Sequence, residues 1–205
     1  MAFPARSRHA VLSGDDKRDG AGLAYRLHKT IVLVGMMGAG KTAIGGALAR
    51  RLGVDFRDSD HEIERAANMT VPEIFARDGE PFFREKEARV IARLLQAEPS
   101  ILSTGGGAFL AEANRTAIAR HGAALWLRAD LDLLWSRLRQ KTTRPLLHTA
   151  NPRATLAELV TRREPVYALA QLSVASAPGL SIDEMTSRVV DLLLTRPDLL
   201  TEEPA

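Results

Sequence analysis

Ile31-Val-Leu-Val-Gly-Met-Met-Gly-Ala-Gly-Lys-Thr42 decides the fold. Its first four residues are β-branched or leucine, the composition of a short strand buried on both faces. They run directly into Gly35-x-x-x-x-Gly40-Lys41-Thr42, the spacing of a P-loop. The glycines let the backbone close around a phosphate with successive N–H groups pointing inward. Lys41 is placed to reach the terminal phosphates and Thr42 to offer its hydroxyl to Mg²⁺. A helix from Thr42 to about Leu52 adds the positive end of its dipole. A strand before and a helix after are the setting this motif requires, which sets it apart from a glycine-rich turn that binds nothing.

Outward from that stretch, the 205 residues suit one domain with appendages. No apolar run approaches the roughly 18 residues that would span a bilayer, so no membrane partner is expected. The chain has no cysteine, which excludes a disulfide framework and thiolate metal sites and fits a cytoplasmic protein. Its basic balance needs locating before it is read as affinity for nucleic acid. Residues 1–29 hold six Lys and Arg against three Asp, so removing them from totals of 28 and 25 leaves 22 of each sign. The remainder is neutral, without the dense basic face that nucleic-acid binding needs. Residues 1–28 lack periodicity and read as a mobile extension with no secretory core. The domain follows over 29–194, and a frayed tail occupies 195–205.

After the P-loop helix, Gly53 is placed as a stop and Val54 to Arg57 as a second strand. Asp58 and Asp60 then lie at the carboxyl end of the sheet, where ligands of open parallel α/β sheets collect. Alternate residues of an extended segment point the same way, so both carboxylates can share one site. The competing reading makes Ser59 or Asp60 a helix cap. Thr70-Val-Pro-Glu73 has the form of a capping box, opening a short helix that Gly79 ends, and Pro81 to Gln96 forms the next. Arg84 in the first turn of that helix opposes the dipole, which points either to an anionic ligand or to an intrahelical pair with Glu87. Ser100 to Thr104 reads as a third strand entering Gly105-Gly106-Gly107, where a ligand can approach the backbone closely. Helix 111–120, strand 123–127, helix 130–139, helix 155–170 kinked at Pro165, strand 172–175 and a last helix from Ser181 complete an α/β alternation. The stretch 140–153 is long for a connection and reads as a lid, with Arg144 a candidate to neutralise charge on a transferring group.

Six motifs in this order resemble the shikimate kinase family over about residues 30–194: the P-loop, Asp58-Ser-Asp60-x-x-Ile63-Glu64, Gly79-Glu80-x-x-Phe83-Arg84-x-x-Glu87, the triple glycine, Arg144-Pro-Leu-Leu and Arg163-x-Pro-x-Tyr167. The resemblance implies a three-layer P-loop fold of the nucleoside monophosphate kinase type, with a five-stranded parallel sheet in the order 2-3-1-4-5. It implies transfer of the ATP γ-phosphoryl to the 3-hydroxyl of shikimate by a monomer. By position, Gly38, Ala39, Gly40, Lys41, Thr42 and Ala43 would hold the nucleotide, with Arg137 stacking on adenine and Arg144 acting from the lid. Thr42 and Asp58 would serve the metal. Asp60 would accept from the shikimate hydroxyls, Arg84 and Arg163 would grip its carboxylate, and Gly105, Gly106 and Gly107 would line the pocket. The catalytic groups would be Lys41, Asp60 and Arg144. Rival readings are a gluconate kinase and a non-catalytic nucleotide-binding domain.

Overall fold

The apolar run ahead of the glycine loop forms the middle strand of a parallel sheet. A computed structural model of the chain describes residues 24–139 and 149–204. Its strands are β1 (Ala24–Leu27), β2 (Thr30–Val34), β3 (Phe56–Asp58), β4 (Ile101–Ser103), β5 (Gly122–Arg128), β6 (Leu172–Ala175) and β7 (Leu200–Glu203). The helices are α1 (Lys41–Leu52), α2 (Ser59–Ala67), α3 (Val71–Leu95), α4 (Glu112–His121), α5 (Leu131–Leu138), α6 (Pro152–Tyr167) and α7 (Ile182–Leu194). Five strands pair in the order β3-β4-β2-β5-β6, all parallel. Counted within the sheet, this is the expected order 2-3-1-4-5. All five residues of β2 are buried, which is why its sequence shows no polar alternation. No helix among the described residues is long and apolar enough to cross a membrane.

Local signals set most boundaries. Gly53 adopts φ 68° and closes α1 with its N–H on Ala49 and Arg50 carbonyls. Thr70 with Glu73 and Ser181 with Glu184 both complete capping boxes, each satisfying two otherwise orphaned donors. Gly79 does interrupt its helix, with φ 81° and ψ 169°. The segments before and after it abut end to end, so α3 runs as one kinked element. Helix α6 begins at Pro152, inside the stretch expected as lid, with Asn151 accepting from Ala154 N–H as its cap. The remainder of the lid reading, 140–148 with Arg144, lies outside the described residues.

Two expected boundaries are corrected. Residues 24–27, assigned to the extension, and 200–203, assigned to a frayed tail, pair antiparallel, with Ala24 opposite Glu203 and Leu27 opposite Leu200. The cause is apolar burial at the ribbon's inner end: Leu27, Leu199 and Leu200 all join the main core. His28 N–H donates to the Leu199 carbonyl at 2.9 Å. Exposed pairs Arg26–Glu203 and Lys29–Asp198, each at 3.3 Å, add little by comparison.

Candidate active site

The loop after β2 turns back on itself through glycines at φ 81° (Gly38) and 98° (Gly40), conformations that a Cβ disfavours. Gly40 is also the residue before the first turn of α1, so the helix begins facing the space the loop encloses. Lys41 Nζ folds over the loop and donates to the carbonyls of Gly35 at 2.7 Å and Met36 at 3.0 Å. Gly38, Gly40, Lys41, Thr42 and Ala43 line a cleft of about 560 Å³. Ala39 differs: its methyl is fully buried and its N–H donates to Met36 at 3.2 Å. Arg137 crosses from α5 to donate to the Gly38 carbonyl at 3.1 Å and to Ser176 Oγ at 3.2 Å, tying the P-loop to the segment after β6.

Asp58 and Asp60 do meet in this cleft, by a geometry other than strand alternation. Asp58 ends β3 and is itself the cap of α2, accepting from the N–H of Asp60 at 3.1 Å. Asp60 therefore sits in a helical first turn, and neither Ser59 nor Asp60 is the cap. The other Asp58 oxygen accepts from Thr42 Oγ1 at 3.4 Å. Burial, reinforced by the charge of Asp58, pushes the Asp60 carboxyl up to about 6, against the pull of Lys41. Its Oδ1 is buried with no hydrogen-bond partner among the described residues.

The triple glycine follows β4 and is packed too closely for side chains. A Cβ on Gly105 would stand 2.8 Å from Asp60 Oδ1, and one on Gly107 would overlap the Arg84 guanidinium. Both readings of Arg84 now bear on one geometry, because it pairs with Glu87 at 2.7 Å and with Glu80 at 2.9 Å while lying against Gly107. Glu87 is fully buried, and burial raises its carboxyl above the ordinary range despite the pull of Arg84. Phe75 and Phe83, with ring centres 4.7 Å apart, carry the guanidinium carbon at 5.9 and 5.3 Å. Arg163, from α6, reaches the Gly106 carbonyl at 3.5 Å. The two arginines thus flank adjacent glycines.

Some of the site was not foreseen. Leu180, Ile182 and Met185 wall the cleft, and only the capping box at Ser181 marked that the chain turned there. The buried Tyr167 hydroxyl donates to the Gly106 carbonyl, a contact that the Arg163-x-Pro-x-Tyr167 motif does not by itself announce.

A P-loop on the middle strand, a carboxylate pair at its mouth and paired arginines beyond a glycine turn define a small-molecule phosphotransferase. A family model described as shikimate kinase matches residues 37–194. The shikimate kinase of Cereibacter sphaeroides is 61% identical over 185 residues, covering 90% of this chain and 92% of that one. That of Ruegeria pomeroyi is 63% identical over 179 residues, covering 87% and 92%. A structure of shikimate kinase from Acinetobacter baumannii in complex with shikimate superposes with a TM-score of 0.77 at 37% identity, covering 82% of this chain and 93% of that one. The chain belongs to the shikimate kinase family, and is an ATP-dependent kinase acting on shikimate.

Proposed function

We propose that the cleft performs the transfer of the ATP γ-phosphoryl to the 3-hydroxyl of shikimate with the following division of labour. The observation that carries this reading is the orphaned, buried oxygen of Asp60 beside Gly105, between the phosphate loop and the paired arginines. An acceptor hydroxyl supplies the donor that oxygen lacks. Asp60 then orients the hydroxyl and takes its proton as the bond to phosphorus forms. Arg84 and Arg163 hold the acceptor carboxylate with forked, charge-assisted hydrogen bonds. The preset Glu80 and Glu87 pairs keep the Arg84 fork from turning away.

The P-loop amides and Lys41 hold the β- and γ-phosphates, and Arg144 is assigned the further cation that neutralises charge on the transferring group. Thr42 and Asp58 present hard oxygens 3.4 Å apart, a donor set that suits Mg²⁺, which usually takes one or two protein oxygens plus phosphates. Mg²⁺ held by Thr42 and Asp58 would supply Lewis-acid stabilisation of the charge that develops on the phosphates. Arg137 faces the nucleotide base. We place the enzyme in the cytoplasm as a monomer, with a small molecule and no nucleic acid as its partner.

The experiment is ADP release from Mg-ATP with shikimate, gluconate or no acceptor. Shikimate-dependent release supports the assignment, and release with gluconate alone would move the chain to a sister activity. In the same assay, Arg163→Ala is expected to raise the shikimate KM roughly 10- to 100-fold, the worth of a lost charge-assisted hydrogen bond, with the ATP KM nearly unchanged. An unaltered shikimate KM would remove Arg163 from the acceptor site.

A further inference from the structure

Tyr167 is among the largest side chains with no solvent exposure, and its hydroxyl is buried where the two halves of the site touch. That hydroxyl donates to the Gly106 carbonyl and lies 3.8 Å from the sulfur of Met36, in the P-loop. Gly106 itself abuts the P-loop, since a Cβ there would stand 3.6 Å from the Gly35 carbonyl oxygen and 3.7 Å from Met37 N. Arg163, four residues before Tyr167 on α6, approaches the same Gly106 carbonyl at 3.5 Å. One carbonyl therefore accepts from both side chains, the tyrosine being by far the closer, and the Arg163 guanidinium also hydrogen-bonds the Tyr167 hydroxyl.

On the assignment of Arg163 to the acceptor carboxylate, we propose that Tyr167 is a positioning residue for the shikimate site: its hydroxyl joins the Gly106 carbonyl to the Arg163 guanidinium and so holds that guanidinium beside the glycine turn, where the acceptor binds. The hydroxyl also fixes a peptide plane. There are no cis bonds, and in a trans peptide the N–H points opposite to the C=O. Turning the Gly106 carbonyl onto Tyr167 therefore turns the Gly107 N–H the other way. The same one-sided grip continues along the segment, with Asn114 Nδ2 donating to the Ala108 carbonyl at 2.9 Å and Arg115 to those of Phe109 and Leu110 at 2.9 and 2.7 Å. Among the described residues the N–H groups of Gly106 and Gly107 have no backbone acceptor. Carbonyls are thus engaged by the scaffold while these two amides are kept for another partner. Burial raises the Tyr167 hydroxyl above its usual range, so it remains a donor throughout the working pH range.

The test is Tyr167→Phe, which keeps the ring against Trp126, 6.2 Å between centres, and removes only the donor. With the hydroxyl gone, the Arg163 guanidinium loses the partner that fixes it beside Gly106 and is less well placed for the acceptor. The shikimate KM is expected to rise roughly five- to twentyfold, with kcat within about threefold and the ATP KM within about twofold. In an Arg163→Ala background the same change is expected to have almost no further effect, because the hydroxyl acts on the acceptor through that guanidinium. Assays run well below each variant's melting temperature separate this from lost stability. An unchanged shikimate KM, equal losses for both substrates, or full additivity with Arg163→Ala would each overturn the proposal and leave Tyr167 as core packing. Failure of the wild-type chain to use shikimate would instead reject the assignment on which the proposal stands.

Discussion

Lys41→Ala is expected to lower kcat with shikimate by at least roughly 10²- to 10³-fold, the usual loss for one preorganised group facing developing charge. The ammonium is already held over the loop, at 2.7 Å from the Gly35 carbonyl and 3.0 Å from that of Met36. It has little reorganisation to complete when phosphate charge moves toward the leaving oxygen. Alanine at the first position of α1 leaves the helix intact, since Gly40 before it provides no side-chain cap to disturb. Circular dichroism and melting temperature should therefore stay close to wild type while turnover collapses. Turnover within tenfold of wild type, in a steady-state ADP-release assay, would refute the phosphate role.

Asp60→Asn separates chemistry from stability in opposite directions. Asparagine keeps the shape but cannot take a proton, so kcat should fall roughly 10²- to 10⁴-fold while the ATP KM changes little. In the wild type, kcat/KM for shikimate should fall below a pH near 6, as the carboxyl, raised by burial and by Asp58 to about 6, becomes protonated. That acid limb should vanish in the variant. The raised value also carries a stability sign. The folded chain holds this proton more tightly than the unfolded chain, whose value is 3.8. The stabilising effect of Asp60 is therefore complete below pH 3.8 and lost as pH rises through about 6. At pH 8 the wild type thus keeps a buried charge that the variant lacks, on the order of 3 kcal/mol at most. The variant should melt several degrees higher there, and the gap should close by about pH 4. Equal losses in kcat and ATP affinity, or a lower melting temperature at pH 8, would make Asp60 a structural residue instead.

How much of this was legible depended on how local the determining physics is. The P-loop, the capping boxes and the strand order rest on neighbouring residues and on the alternation of elements, and they stand as read. Asp58 and Asp60 line one cleft, but strand alternation is not the reason, because a cap forming at Asp58 overrides it. Arg84 offered two readings that looked exclusive. Its ion pair with Glu87 and its place beside Gly107 coexist, because the buried acid orients the same guanidinium that faces the glycine turn. What escaped was non-local. No periodicity announces that Tyr167 caps a carbonyl 61 positions away, or that Leu27 pairs with Leu200.

The terminal ribbon has a topological consequence. Ala24 and Glu203 are direct partners across it, so their Cα atoms are only about 5 Å apart. It joins β2 at Thr30, the end opposite the phosphate loop, and β2 holds those two ends apart by roughly 15 Å. The order of elements is therefore nearly cyclic: a few residues bridging 203 to 24 would close the chain into a ring without displacing a catalytic group. New termini could then be opened at a surface turn such as Pro178–Gly179. Such a circular permutant would keep the sheet order while the ribosome makes the cleft wall of Leu180, Ile182 and Met185 before the P-loop rather than after it.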